Sequence, residues 1–323
     1  YVPQDRRYYF LEFNTRLQAG HAVTEMVTGA DLVKLELHVA NGGRLTGEPP
    51  KSHGHAIGVR LHAEDPDSGF APAPGVVERF RMPTGPGLRV DTGLYEGDAV
   101  LTELDLEIAR VIVHGRTREE ALSRIGRALT EGAVVLRGGT SNKGFLLDAI
   151  QRPEMRDARG DIGWLERLAV QGERALRRHA DVALVHAAIE AYESELAVEK
   201  AQFYAAAARG RPEVGTEVGR NVELSYHGNE YLVRVRRLGM QQYHVDADGQ
   251  RIDVTIEPLG RAEYRVTCGG QRHRVLSVTQ GVTNLVEVDG VPHRVQRDRG
   301  GYVRAPAPAV VVSMLVKEGD EVS

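Results

Sequence analysis

This sequence is poor in several things, and each shortage removes a class of explanation. It holds a single cysteine, Cys268, in 323 residues, so an internal disulfide and a multi-cysteine metal site are both excluded. A lone thiol fits a reducing compartment, and a cytoplasmic location is expected. No apolar run approaches the roughly 20 residues that a membrane-spanning helix needs. Charge is nearly balanced, with 41 Lys and Arg against 45 Asp and Glu. That leaves no basic footprint for nucleic acid or for an anionic membrane surface. A glycine-rich phosphate loop is missing too; GGTSNKG, residues 138–144, is the best imitation and lacks the P-loop spacing. The chain opens on Tyr1 rather than Met and stops at EGDEVS, and it is expected to be an internal piece of something longer.

Local shortages are as informative. From Ala180 to Arg209 there is neither Gly nor Pro, while Ala, Glu, Leu and Val dominate. That stretch predicts one uninterrupted helix of about 45 Å. Leu184, Ala188, Tyr192, Leu196 and Phe203 fall near helical spacing along it and are its expected buried stripe. Beyond it, residues 221–302 lack any helical pattern and repeat instead: HGNEYLVRV, ADGQRIDVTI, CGGQRHRVLSV and VDGVPHRVQR. The glycines of these units, Gly228, Gly249, Gly270 and Gly290, lie 21, 21 and 20 residues apart (249−228, 270−249, 290−270). Strand, glycine turn, strand reads as an array of hairpins. Four such hairpins can close into a barrel and leave no exposed edge.

Residues 1 to about 150 read as α+β. RRYYFLEFNTRLQ alternates like a strand, and TEMVTGADLVKLELHVANGG reads as one amphipathic helix stopped by Gly42 and Gly43. HAIGVRLHAED, GVVERFRMP, RVDTGLYEG and IARVIVHG are short strands, and TREEALSRIGRALTEG is a helix capped by Thr117.

If the first segment is a strand, Glu12, Asn14, Arg16 and Gln18 share one face of it. A carboxylate and an amide oxygen suit a hard cation. A guanidinium two residues on can grip a small planar oxyanion through two hydrogen bonds. The plainer reading is a solvated strand face. His53 and His55 in SHGHA lack a third ligand, and Asp65 and Asp67 in AEDPDSGF read as a turn.

FLEFNTRLQ-x-x-H-x-VTEMVTG-x-DLVK closely resembles the biotin carboxylase component of biotin-dependent acyl-CoA carboxylases, an ATP-grasp enzyme. GHAIGVRLHAEDPDSGFAPAPG, PTGPGLRVDTGLYEGD, IARVIVHGRTREEALSRIGRAL and GGTSNKGFLLD extend the resemblance in the same order. It implies that Glu12 and Asn14 help hold the Mg²⁺ (or Mn²⁺) of MgATP, and that Arg16, Gln18 and Ala19 bind bicarbonate. It implies that Arg89, in GLRVDTG, stabilises the enolate of biotin as carboxylation begins. Two departures stand out. Gly20 occupies the place of the family's glutamate base, with His21 beside it, and Gly58 replaces another glutamate. In LTELDLEIAR, Asp105 is kept and Arg110 stands for a lysine.

The long helix and hairpin array resemble the "BT" domain that joins carboxylase to carboxyltransferase in single-chain, multi-domain acyl-CoA carboxylases. The expected organisation is therefore the C-terminal part of a biotin carboxylase domain (1–150), a helical linker with the long helix (151–210), a BT-like β-barrel (211–303) and the truncated start of a biotin carrier domain (304–323). Lys317 in K-E-G-D falls on an early strand of that carrier, not on its biotin-bearing hairpin. Lysine is absent between Lys200 and Lys317. The resemblance implies a ligase as parent, using biotin, ATP and Mg²⁺, with biotin carrier and carboxyltransferase domains as partners in a homo-oligomer. The 323 residues alone are expected to be inactive and to bind none of these cofactors. The other readings are a degenerate, non-catalytic scaffold of a carboxylase complex, and a relative of urea or pyruvate carboxylase.

Overall fold

The computed structural model describes residues 6–12, 14–102, 105–171, 178–210 and 219–297. Two compact units emerge from it, Tyr1–His179 with Glu287–Pro292, and Ala180–Val286 with His293–Ser323. The fold is mixed α+β, with seven α-helices and a closed antiparallel barrel of eight strands among the described residues.

The first unit begins with helices α1 (His21–Thr28) and α2 (Leu32–Ala40). The sequence pattern predicted one helix here, and the structure breaks it. Gly29 closes α1 in the left-handed region (φ 72°), where glycine carries no Cβ penalty. Asp31 then caps α2, its carboxylate accepting the Lys34 N–H at 2.8 Å. Strands β1 (His55–His62), β2 (Glu64–Asp65), β3 (Ala71–Pro72), β4 (Val76–Arg81), β5 (Leu88–Asp91) and β6 (Glu107–Gly115) follow, then α3 (Arg118–Glu131), β7 (Ala133–Arg137), α4 (Lys143–Gln151), α5 (Pro153–Arg156) and α6 (Trp164–Gln171). β1, β6 and β5 form a three-stranded antiparallel sheet in that order, and β2–β3 and β4–β7 are separate pairs.

β6 is the central strand, and its Ile108, Val111 and Val113 are fully buried. α3 lays Ala121, Ile125, Ala128 and Leu129 against the sheet at the spacing of one helical face. Thr117 caps it by accepting the Glu120 N–H at 3.2 Å, as the sequence predicted. Asp65 accepts the Asp67 N–H at 3.0 Å and the Ser68 hydroxyl at 2.9 Å, which confirms the turn. Lys143 of the GGTSNKG loop is fully buried, its ammonium on the Gly132 carbonyl and, at 2.8 Å, on Glu287. An ammonium so engaged cannot serve as a phosphate-loop lysine.

The expected N-terminal strand is absent among the described residues. Apart from a single bridge residue at Arg7, no strand is assigned among the described residues 6–18. Tyr8, Phe10 and Leu11 lie 83%, 84% and 91% exposed. Alternation supplies a strand's faces, but its backbone N–H and C=O groups need a neighbouring strand along their length, and beyond the bridge at Arg7 no strand pairing is assigned to these described residues.

The second unit is helix α7 (Ala180–Ala207) and strands β8 (Arg220–Tyr226), β9 (Asn229–Arg237), β10 (Gln242–Ala247), β11 (Gln250–Gly260), β12 (Glu263–Cys268), β13 (Gln271–Gln280), β14 (Thr283–Val288) and β15 (Val291–Arg297). The strands close in the order β10-β11-β12-β13-β14-β15-β8-β9. The repeated glycines are its tight turns. His227-Gly228, Asp248-Gly249 and Gly269-Gly270 each have two positive φ angles and join strands paired Tyr226↔Asn229, Ala247↔Gln250 and Cys268↔Gln271. Two left-handed residues make the turn whose twist matches that of a hairpin.

The first half of α7 is enclosed. Val185, His186, Ala187, Ala188 and Ile189 are consecutive and all buried, which no single-faced helix can achieve. Polar ties radiate from it to separate strands. Glu190 accepts the Ser277 hydroxyl on β13 at 2.6 Å, and Glu193 accepts the Tyr243 hydroxyl on β10 at 3.0 Å. Burial alone would push the Glu190 carboxyl up, but His186, Ser277 and Arg297 reverse this and hold it below the ordinary range. The second half is open, with Phe203 37% and Tyr204 70% exposed. The predicted stripe was thus too narrow at one end, where burial is all round, and too long at the other. The expected carrier-domain start, with Lys317, lies outside the described residues.

Candidate active site

The site residues fall into two groups within the first unit. The first group occupies the irregular segment before α1. The Asn14 amide donates to the Glu12 carboxylate at 3.3 Å, so these two oxygen-bearing side chains are adjacent even without a strand. A free carboxylate oxygen and an amide oxygen at one spot match the ligands of Mg²⁺. Arg16, Gln18 and Ala19 are exposed. Among the described residues none forms an ion pair with Arg16.

His21 turns back on this segment, its ring Nδ1 lying 2.9 Å from the Gln18 carbonyl. A carbonyl only accepts, so Nδ1 carries the proton, and the ring braces the turn that precedes α1. Gly20, the residue before α1, has φ −76° and ψ −7°, which any residue adopts. A Cβ there would meet nothing within 4 Å. Backbone geometry therefore does not require glycine at position 20, where the resemblance has a glutamate. Gly58 differs. A Cβ on it would come within 3.1 Å of Val23 Cγ2 and 3.6 Å of Ile112 Cγ1. Its bareness lets α1 pack on β1, where the resemblance has a glutamate.

The second group is built on β5. Leu88 pairs with Val113, Arg89 with Ile112 and Asp91 with Arg110. Period-two alternation places Arg89 and Asp91 on one face. The Arg89 Nε donates to Asp91 at 2.8 Å, and its Nη1 donates to Glu25 of α1 at 2.6 Å. Glu25 uses its other oxygen to accept the Leu32 N–H at 2.7 Å, and its side chain is only 11% exposed. The hydrogen bond from Arg89 leads the influences that hold the Glu25 carboxyl below the usual carboxylate range. Asp91 and Glu25 in turn raise the guanidinium further above its already high value. Arg110, in the place of the family's lysine, pairs with Glu107 at 2.7 Å, and Asp105 accepts the Glu107 N–H at 3.0 Å.

The structure thus joins Glu12 to Asn14, and Arg89 to Glu25 and Asp91. No hydrogen bond or shared partner among the described residues joins Arg16 to Arg89. Glu25 was missed by the sequence reading. An acid in VTEMVTG looks like any solvated helix position, and only the 64-residue span to Arg89 gives it meaning.

Parts of the chain match known families and proteins. Residues 58–167 match the biotin carboxylase C-terminal domain family. Residues 1–48 match the ATP-binding domain of the carbamoyl-phosphate synthase L chain family. Among curated relatives, biotin carboxylase 1 of Bacillus subtilis is 39% identical over 53% of this chain and 38% of its own length. The biotin-dependent acyl-coenzyme A carboxylase alpha3 subunit of Mycobacterium leprae is 48% identical over 40% of this chain and 22% of its own. The solved biotin carboxylase domain of Hydrogenobacter thermophilus 2-oxoglutarate carboxylase, captured with MgADP and bicarbonate, is 35% identical with a TM-score of 0.47, over 49% of this chain and 35% of that one. The chain spans between a fifth and two fifths of the length of these relatives. Among the described residues no helix is long and apolar enough to cross a membrane.

Proposed function

We propose that the chain is part of a biotin-dependent acyl-CoA carboxylase whose whole protein carboxylates biotin with MgATP and bicarbonate and then passes the carboxyl group to an acyl-CoA. The observation that carries this reading is Arg89. It is a guanidinium fixed by two carboxylates on a strand of the region matching the biotin carboxylase C-terminal domain. A preorganised cation is what a site needs where negative charge develops on the substrate. In this reading Arg89 faces the ring of biotin, Arg16, Gln18 and the Ala19 main chain take bicarbonate, and Glu12 and Asn14 hold the metal. The metal, when bound, neutralises phosphate charge.

The acyl-CoA assignment draws on the Mycobacterium leprae relative and on the helix-filled barrel, which we read as a BT domain linking the carboxylase part to carboxyltransferase and carrier parts. We place the domain boundaries near residues 150, 210 and 303, and the assembly as a homo-oligomer in the cytoplasm. Taken alone, the 323 residues are proposed to be inactive, and micromolar ATP affinity of this chain would contradict that.

The test is bicarbonate-dependent ATP cleavage by the full-length protein with free biotin. Turnover is expected in the wild type, falling on the order of 100-fold in Arg89→Ala, the usual scale for removing one charge-stabilising donor. The alternative, a non-catalytic scaffold, is favoured by Gly20. It is established if the wild type gives no turnover while Gly20→Glu restores it.

A further inference from the structure

We infer that Glu25 is a positioning residue for Arg89. It sets the direction in which the guanidinium presents its remaining donors to substrate. The kinetic part of this inference rests on the function proposed above; the geometric part does not.

Arginine carries five N–H donors in a rigid plane. Asp91 takes the one on Nε, and Glu25 takes one on Nη1. Two acceptors on two atoms of one plane fix both the position and the rotation of that plane, whereas Asp91 alone would leave it free to turn about its bond to Nε. Three donors are left over, two on Nη2 and one on Nη1, and the Arg89 side chain is 34% exposed, so an edge of the guanidinium remains for an incoming anion. Glu25 can do this because it is itself immobilised. Its second oxygen is held by the first N–H of α2, and its side chain is almost wholly buried. The same carboxylate thus ties three elements, α1, the start of α2 and β5.

Charge supports a positioning role over a base. The carboxyl is held below its usual range chiefly by the hydrogen bond from Arg89. Such a group stays ionised and accepts a substrate proton poorly, so Glu25 does not replace the glutamate missing at Gly20.

The experiment has two arms. In the full-length protein, Glu25→Gln keeps the shape but offers one acceptor oxygen in place of two. Its kcat with free biotin is expected to fall about 10- to 100-fold, the scale of a misdirected catalytic group. KM for ATP should stay within about twofold, since Glu25 contacts none of the nucleotide-side residues. Glu25→Asp should recover part of the loss. In this chain, ¹⁵N spectra should resolve separate Nη1 and Nη2 signals for Arg89, assigned by their loss in Arg89→Lys, and the signals should merge in Glu25→Gln. Equal kcat per folded molecule in Glu25→Gln and wild type, with only Tm lowered, overturns the inference by showing a purely structural tie. Merged Arg89 signals in the wild type overturn it too. A wild type without biotin-dependent turnover defeats the proposed function instead, and the spectra alone then decide the role of Glu25.

Discussion

The segment carrying Glu12 to Gln18 and the strand carrying Arg89 contain the same kind of chemistry in opposite physical states. Both alternate polar and apolar residues. β5 has β6 beside it, so its alternation becomes a pleat with Leu88 and Val90 turned inward and Arg89 and Asp91 held together. Beyond the bridge at Arg7 the earlier segment has no strand assigned among its described residues; Tyr8, Phe10 and Leu11 stand in solvent, and none of the described residues forms an ion pair with Arg16. A periodic pattern therefore specifies which face a side chain will take, and a partner strand decides whether that face exists. The two halves of α7 repeat the lesson, enclosed from Val182 to Tyr192 and open beyond.

Substitutions can sharpen this contrast, and the largest effect belongs to the helix. Ile189→Ala, at a fully buried position, should cost about 2–5 kcal/mol in chemical denaturation. Phe203→Ala, on the same helix but outside its enclosed part, should stay within about 0.5 kcal/mol. Equal costs would mean that the far half of α7 is also packed. Next comes the arginine pair. Arg89→Ala leaves Glu25 and Asp91 without their cation and should destabilise the first unit by about 1.5 kcal/mol, the low end for a charged hydrogen bond because the guanidinium is partly exposed. Arg16→Ala should change stability by less than about 0.5 kcal/mol. Matched losses for the two arginines would show Arg16 to be held after all.

A capping change should be smaller. Asp31→Ala removes the bond to the Lys34 N–H and should cost about 1 kcal/mol. A pH effect separates the units. The Tyr243 hydroxyl, raised to about 12 by burial and by Glu193, binds its proton more tightly when folded. Its stabilisation is present below pH 10 and is lost as pH rises from about 10 to 12. Tyr243→Phe should flatten the stability profile of the second unit in that window, measured by thermal melts, and leave the first unit unchanged.

Much of this was legible beforehand because the signals were local. Two-residue turns at a fixed spacing need only their own left-handed residues. The α3 helix needs only its face and the cap at Thr117, and the 180–209 run needs only the lack of Gly and Pro. The failures were matters of long-range partnership. Gly29 read as one more helical residue because its handedness depends on where the chain must go next. All-round burial of α7 came from a barrel whose closure no window of α7 records. Glu25 is ordinary until β5 arrives 64 residues later.

The barrel's closure around its helix constrains the order of assembly. The hairpins are made by neighbours in sequence, but the seam where β15 meets β8 through Gln296↔Ser225 and Arg297↔Leu224 joins the first strand to the last. Distant pairings of that kind form slowly. A ring already shut would have to be threaded end-on by a helix with bulky, exposed aromatics near one terminus. A β8–β15 seam that closes last would let the hairpins gather around α7 first, with the helix as the mandrel on which the staves are drawn together.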